Sequence, residues 1–156
     1  MPVLRPLVPS DLDRLLEVQR EGAVAGLGHI FPQRDHPFPI DAIRARWEGE
    51  LDDPSVDAFA IVLDDELAGF AATRVSEFLH FGTAIHTWGS GLAGAAHDEV
   101  LDHLRGRGHR TAWLWAFEDN HRATRFYARR GWRTTDERVR TTFAPHPILR
   151  RYEREL

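Results

Sequence analysis

The sequence predicts an α/β fold in which a mixed sheet carries helices on both faces. Residues 77–133 run strand, glycine-rich turn, long helix, strand, short helix and glycine stop. Upstream, residues 58–75 alternate as the two strands of a β-hairpin do. Residues 12–18 and 40–51 instead repeat apolar side chains at helical spacing. Because no linker composition or internal repeat interrupts the chain, we expect a single domain over residues 1–156.

The remaining elements follow from caps, chain breakers and short alternating runs. Residues 3–7 indicate a short edge strand, and Ser10 is placed to cap the helix that follows it. Residues 22–39 hold several glycines and prolines, so we interpret them as an irregular loop. Gly69, inside the second hairpin strand, indicates a bulge or the close approach of another backbone. Residues 148–156 alternate again and predict a last strand.

Composition narrows the classes of function. The 20 basic side chains, all arginine, stand against 24 acidic ones, and a net charge of −4 gives no general nucleic-acid footprint. The absence of cysteine excludes disulfides, a thiolate nucleophile and zinc–thiolate sites, and the absence of lysine excludes Schiff-base chemistry. No apolar run is long enough to span a membrane and no signal peptide is evident, so we expect a cytoplasmic protein without a membrane partner. The composition, rich in arginine, alanine and glycine, suggests a GC-rich bacterial source.

The turn before the long helix predicts an anion site. It comprises Trp88, Gly89, Ser90, Gly91, Leu92, Ala93 and Gly94. Its glycines and small residues let a ligand approach the backbone, and the first N–H groups of a helix have no partner within the helix. Together with the helix dipole, these groups suit a phosphate or pyrophosphate. A P-loop is excluded because it needs a lysine. A dinucleotide fingerprint has the glycine spacing found here but needs an acidic residue about twenty positions on, which is missing.

The segment after the next strand carries a more specific motif. Its residues are Asn120, Ala123, Phe126, Tyr127, Gly131 and Trp132. They resemble the N-x-x-A-x-x-F-Y-x-x-x-G-[FW] pattern of the GNAT superfamily, the Gcn5-related N-acetyltransferases. Gly91 and Ala93 also fit that family's Q/R-x-x-G-x-G/A turn, whereas Trp88 stands where Gln or Arg is usual. The resemblance implies a mixed, twisted, mostly antiparallel central sheet flanked by helices, with acetyl-CoA as the acetyl donor and no metal.

The resemblance also implies roles around the donor. Tyr127 would protonate the departing CoA sulfur; the alternative is a tyrosine that only packs in the core. The turn from Gly89 to Gly94 would hold the phosphates. Asn120 would bind the pantetheine or phosphate arm, cap its own helix, or do both. The strand from residue 77 to 84 would carry a bulge whose N–H polarises the thioester carbonyl, near Phe81, Gly82 and Thr83.

The base and the acceptor pocket stay open at this point. Glu77, His80 and His86 lie on or beside the central strand, and a histidine near neutral pKa suits proton removal, although such histidines commonly only pack or face solvent. In the loop, His29, Phe31 and Asp35 would wall a pocket for a small-molecule or peptide amine; alternatively the loop aromatics only pack on the sheet. The histidines show no metal-ligand spacing.

Two other functions are compatible with the pattern. Trp88 and Gly82 depart from the family and suggest an acyl-CoA-binding sensor or interaction module without turnover. The glycine spacing leaves a dinucleotide-binding protein as a third hypothesis. If the chain is an acetyltransferase, the absence of cysteine implies direct transfer to the amine. The sequence is also compatible with a homodimer.

Overall fold

The computed structural model describes residues 2–156, and within them a seven-stranded sheet carries four α-helices. The strands are β1 (Leu4–Pro6), β2 (Val56–Leu63), β3 (Glu66–Arg74), β4 (Glu77–Thr83), β5 (Thr111–Phe117), β6 (Arg133–Arg140) and β7 (Ile148–Glu155). The helices are α1 (Leu12–Gly26), α2 (Ile40–Leu51), α3 (Leu92–Gly106) and α4 (His121–Arg129). The strand order is β1-β2-β3-β4-β5-β7-β6, and every neighbouring pair is antiparallel except β4 and β5. The predicted mixed, mostly antiparallel sheet is therefore confirmed.

The two faces of the sheet bury different helices. Side chains alternate along β3, so that Phe70 and Ala72 pack with α1 and α2 while Ala71 packs with α3 and β5. Trp47 of α2 is fully buried against one face of the sheet, and Leu101 of α3 is buried against the opposite face. Helices on both faces follow from this alternation, as the sequence predicts.

Two predictions near the N-terminus are wrong. Ser10 does not cap α1; instead the Asp11 carboxylate accepts the Val8 N–H at 2.9 Å and pairs with Arg5 at 2.9 Å. A 3₁₀ turn over Pro9–Asp11 precedes the helix, and the arginine fixes the carboxylate where a serine hydroxyl was expected. Residues 22–26, expected in the loop, continue α1, because one glycine inside a packed helix costs only about 1 kcal/mol.

The strand β6 was not predicted from the sequence. Most of its side chains are exposed, so it shows no apolar alternation. It forms because β7 supplies an antiparallel partner at the edge of the sheet. The close approach indicated by Gly69 is confirmed: a Cβ built there would lie 2.5 Å from the Gly82 carbonyl oxygen.

No helix within residues 2–156 has both the length and the apolar character needed to cross a membrane.

Candidate active site

The parallel strands β4 and β5 form a fork in the middle of the sheet. They share a single paired position, Glu77 with Trp113, and one adjoining hydrogen bond from the Trp113 N–H to the Ser76 carbonyl at 3.2 Å. Beyond that point β5 pairs only with β7, over its whole length. The gap between β4 and β5, open toward their carboxyl ends, is called the fork below. Ligands of open α/β sheets bind at this end of parallel strands.

The bulge in β4 lies at Leu79 and not at Phe81 to Thr83, which corrects the sequence prediction. Thr73 of β3 faces Phe78 and Ala72 faces His80, so that Leu79 has no partner. The physical reason is that Leu79 and His80 both turn toward the α1–α2 face, Leu79 into the core and His80 onto Trp47. Two adjacent side chains on one face require an extra residue in the strand. The backbone N–H groups disturbed by the bulge therefore lie beside His80.

Gly82 is explained by the strand next to it. A Cβ at Gly82 would lie 2.5 Å from Cζ of Phe70, its paired residue on β3. The Phe70 ring thus fills the volume that a larger residue at position 82 would take. The departure from the family pattern at Gly82 is compensated within the sheet and leaves the packing of β4 intact.

The glycine turn presents the start of α3 to the mouth of the fork. Gly89 and Gly91 have φ of 82° and 92°, a conformation that favours glycine. The first N–H bonded within the helix is that of Ala95, to the Gly91 carbonyl at 3.1 Å, so the N–H groups of Ala93 and Gly94 precede the helical ladder. A Cβ on Gly94 would clash with the guanidinium of Arg130. The turn therefore offers backbone donors with a cation beside them.

Trp88 brings a second guanidinium to this turn. Its indole N–H donates to the Thr83 carbonyl at 3.0 Å, and the guanidinium carbon of Arg122 lies 3.5 Å from the centre of its ring. Burial lowers the pKa of Arg122, and no carboxylate among residues 2–156 acts against that shift. A cation from α4 thus reaches the position where the family pattern has Gln or Arg. Sequence reasoning missed Arg122, because only the fold brings α4 next to Trp88.

Tyr127 is buried on α4, beside the fork. Its ring meets those of Phe126, Trp132 and Tyr152, and Phe126 stacks on Phe81 of β4 with centroids 5.9 Å apart. Burial raises the pKa of the Tyr127 phenol, which therefore keeps its proton at neutral pH. Tyr127 is therefore a core side chain whose phenol is protonated.

Asn120 caps α4. Its Oδ1 accepts the Ala123 N–H at 3.2 Å, so the capping alternative is realised. The side-chain amide N–H groups of Asn120 are not used by this cap and stay available to a ligand. The two roles of Asn120 therefore do not compete.

His80 forms a buried pair with Glu50 of α2. Its Nε2 lies 2.7 Å from the Glu50 carboxylate, and Trp47 packs on the imidazole with ring centroids 4.8 Å apart. Since a carboxylate can only accept, the proton lies on Nε2 and Nδ1 keeps its lone pair. Burial lowers the pKa of His80 despite the carboxylate, so the ring is neutral at pH 7. Sequence reasoning missed Glu50 because α2 contains several charged residues, and nothing in their spacing distinguishes the one that is buried.

The other two candidate bases differ in their surroundings. Glu77 is half-buried where the fork begins, and burial raises its pKa, with Arg74 opposing and Glu50 adding to the shift. His86 is exposed in the 3₁₀ turn Ile85–Thr87. Glu77 and His80 thus lie on the same strand near the fork, and His86 does not.

The predicted acceptor loop contacts the carboxyl end of β5. His29 Nε2 lies 2.7 Å from the Asp119 carbonyl, and Phe31 meets Phe117 edge-on at 5.4 Å. Asp35 is exposed, and only its backbone N–H is engaged, with the Pro32 carbonyl. His29 and Phe31 are therefore placed at the fork's mouth, while Asp35 is not brought there by any contact.

No group of three or more His, Cys, Asp or Glu side chains in the described part of the chain is arranged to hold a metal ion.

Comparison with known proteins identifies the class. The profile of the acetyltransferase (GNAT) family matches residues 12–132, and the chain therefore belongs to this family of N-acetyltransferases. A search of curated protein sequences found no match.

Solved structures share the fold at low sequence identity. A GCN5-related N-acetyltransferase from Rhodopseudomonas palustris, described as "Aminotransferase, Class-II", has a TM-score of 0.81 at 17% identity, covering 100% of this chain and 96% of that one. The PaiA N-acetyltransferase of Thermoplasma acidophilum in complex with coenzyme A has 0.78 at 17%, covering 98% of each chain. The spermidine N-acetyltransferase of Vibrio cholerae with CoA and spermine has 0.73 at 15%, covering 97% and 94%. At these identities the likeness concerns the fold.

Proposed function

We propose that the protein transfers an acetyl group from acetyl-CoA directly to the amine of a small molecule or peptide. The observation that carries the proposal is the fork itself. Its mouth is flanked by the glycine turn and Arg122, while His80 and Glu77 lie on the strand that forms one of its sides. The groups at the mouth would suit the donor phosphates, and those on the strand would suit the thioester and the acceptor amine.

The donor would bind along the fork with its phosphates at the mouth. The turn Gly89, Ser90, Gly91, Leu92, Ala93 and Gly94 would hold the diphosphate, with hydrogen bonds donated by the N–H groups of Ala93 and Gly94 at the start of α3. Arg122 and Arg130 add positive charge there, which is the strongest form of phosphate recognition that a side chain offers. Asn120 and the strand residues Phe81, Gly82 and Thr83 would line the path of the pantetheine arm.

The chemistry needs a neutral amine, a polarised carbonyl and a proton for the thiolate. The amine nitrogen attacks the thioester carbon, and the C–S bond breaks as the tetrahedral intermediate collapses. A backbone N–H at the Leu79 bulge would stabilise the oxyanion, and Tyr127 would give its proton to the sulfur. His80 would take the first proton from the incoming ammonium and release it to solvent. The second proton, lost as the amide forms, would return to Tyr127 through solvent, so that the net products are the amide, CoA thiol and one proton.

His80 is the proposed base. Its lowered pKa leaves Nδ1 unprotonated at pH 7, and Glu50 holds the ring and stabilises the imidazolium that forms. Glu77 would hold the incoming ammonium at the start of the fork. His29 and Phe31, at the mouth, would border the outer end of the acceptor, away from its amine.

Steady-state release of CoA in the presence of an amine panel tests the proposal. A thiol reagent detects the product, and the protein contributes no background because it has no cysteine. Amine-dependent release that His80→Gln lowers at least tenfold, within the usual size of acid–base catalysis, is expected. Tight CoA binding without release for any amine would instead favour the acyl-CoA sensor. The features that suggested a sensor have local compensations, since Phe70 fills the space at Gly82 and Arg122 accompanies Trp88.

A further inference from the structure

Arg46 of α2 is a guanidinium without an adequate anion. Within residues 2–156 its Nε is buried without a hydrogen bond, and the nearest carboxylate oxygen, Oε1 of Glu50, lies 3.8 Å away. The rest of the side chain is 35% exposed, and its guanidinium carbon lies 5.9 Å from the centre of the Phe143 ring. The other oxygen of Glu50 is taken by His80. Partial burial lowers the pKa of Arg46, and the Glu50 carboxylate opposes this shift.

We infer that the acceptor carries a carboxylate next to its amine, as an α-amino acid does, and that Arg46 binds this carboxylate. The inference rests on the proposed function, because it names the acceptor of that same site. Arg46 and His80 flank the two oxygens of one Glu50 carboxylate. The proposed base and the anion-binding group thus contact the same carboxylate, which places a cation for a ligand carboxylate close to the group that would take up the amine proton.

Arg151 serves as an internal comparison. Its Nε is also buried without a hydrogen bond, but two carboxylates accompany it, Glu153 at 3.2 Å and Glu137 at 3.7 Å. These acids hold its guanidinium over the Trp113 ring, 4.3 Å from the centroid. The charge of Arg151 is therefore balanced by carboxylates of the sheet. Arg46 has no such close carboxylate, and a ligand carboxylate would supply it.

The other side chains on this side of the fork suit a zwitterion better than a polyamine. Glu77 offers a half-buried carboxylate to one ammonium group, and its pKa is raised by burial, as expected for an acid short of a strong cationic partner. A second ammonium, as in spermine, would lie against the cationic Arg46, and like charges repel. Trp113 and Trp115, half-buried on the same face of β5, favour an apolar side chain on the acceptor.

Matched acceptors test the inference. CoA release would be measured for the common L-amino acids, and for the best of them against its carboxamide and its decarboxylated amine, with spermidine alongside. We expect kcat/KM to fall at least about tenfold when the carboxylate is replaced, the usual cost of a lost charged hydrogen bond. Arg46→Gln should raise the KM of the amino acid about tenfold or more and abolish the preference over the carboxamide, with Arg46→Lys intermediate. The KM of acetyl-CoA should stay within about twofold, which also shows that the variants fold.

The control is Arg44→Gln on the same helix, whose guanidinium pairs with Asp13 at the surface. It should leave both KM values unchanged. Equal or faster turnover of carboxamides or spermidine would overturn the inference while leaving an acetyltransferase. If no amine is acetylated, titration calorimetry of the CoA-loaded protein with amino acids decides. Binding that Arg46→Gln removes would keep the carboxylate site and overturn acetyl transfer, and the absence of binding would overturn both.

Discussion

Tyr127 is the residue that best separates a catalyst from a binding protein. Tyr127→Phe keeps the ring and its packing against Trp132 but removes the proton offered to the sulfur. We expect kcat to fall by about one to three orders of magnitude, while CoA affinity changes less than about threefold. Thiol release measures the first quantity and calorimetry the second. Tyr152→Phe, in the same aromatic cluster, is the matched control and should behave as the wild type. Wild-type turnover in the Tyr127→Phe variant would remove this residue from the mechanism.

Arg122 is expected to act on the phosphates alone. Arg122→Gln should raise the KM of acetyl-CoA about tenfold, as the loss of a charge-assisted hydrogen bond does. The same change should leave turnover of S-acetylpantetheine, which has no diphosphate, within about twofold. Arg125→Gln, one exposed arginine further along α4, controls for a general loss of positive charge. A loss of similar size for both donors would mean that Arg122 shapes the fork and does not bind phosphate.

His97 makes stability depend on pH. Trp132 donates its indole N–H to Nε2 at 2.9 Å, and Nδ1 faces Asp98 at 3.0 Å, so the buried ring is neutral. Burial lowers its pKa in the folded protein; Asp98 opposes this shift, and Arg130 and Arg154 add to it. Because the unfolded chain takes up the proton first, stability is full above about pH 6.5 and falls as the pH drops below it.

Urea titrations from pH 7.5 to 5 measure this loss, which His80 should share because its pKa is lowered too. The slope contributed by one histidine is at most about 1.4 kcal/mol per pH unit. His97→Gln should reduce the pH dependence. An unchanged slope in the variant would show that His97 does not titrate in this range.

The residues that could be predicted from the sequence belong to contiguous motifs. Tyr127, Asn120 and the glycine turn follow from local spacing, and the structure places them around one gap. Glu50 and Arg122 could not be predicted, because their contacts with His80 and Trp88 span 30 or more positions in sequence. Glu50 and His80, for example, are 30 residues apart and meet only when α2 packs on β4.

At the scale of elements, the loop between α1 and α2 is where we expect substitutions to change the acceptor specificity. Phe31 meets Phe117 at the end of β5, so Phe31→Ala should raise the acceptor KM several-fold while the KM of acetyl-CoA stays constant. Phe38→Ala is the contrasting variant, because Phe38 packs against the core under α1 and α2. It should lower thermal stability and leave the ratio of the two KM values unchanged. Equal changes in both KM values for Phe31→Ala would show that the loop has a structural role and does not select the acceptor.

The elements that alternate clearly could be predicted, and those without a local signal could not. The hairpin β2–β3 and strand β5 have apolar alternation or an apolar run, and both appear where expected. The strand β6 is mostly exposed, so its sequence is polar and charged and lacks the apolar alternation that would predict a strand. The family resemblance placed the bulge near Phe81 to Thr83, yet the extra residue is Leu79, because packing of His80 on Trp47 decides the register.

For the whole molecule, the single paired position between β4 and β5 predicts strong coupling between ligand and stability. Backbone groups of both strands that face the fork have no partner across it beyond Glu77 and Trp113. CoA at about one hundred times its Kd should add roughly 2.7 kcal/mol to the free energy of unfolding. Hydrogen exchange should slow most for amides of β4 and β5 that face the fork. Protection spread evenly over the sheet, or confined to the α3 turn, would contradict binding along the fork.

Phe70 and Gly82 have a consequence for how this protein can change over generations. One aromatic ring occupies the space of two side chains, so neither position is free to vary alone. A larger residue at 82 collides with the ring, and a smaller one at 70 leaves a cavity in a strand that flanks the fork. Descendants that restore a bulky residue at position 82 would have to lose the phenylalanine at about the same time. Substitutions at positions 70 and 82 are therefore expected to occur together in related sequences.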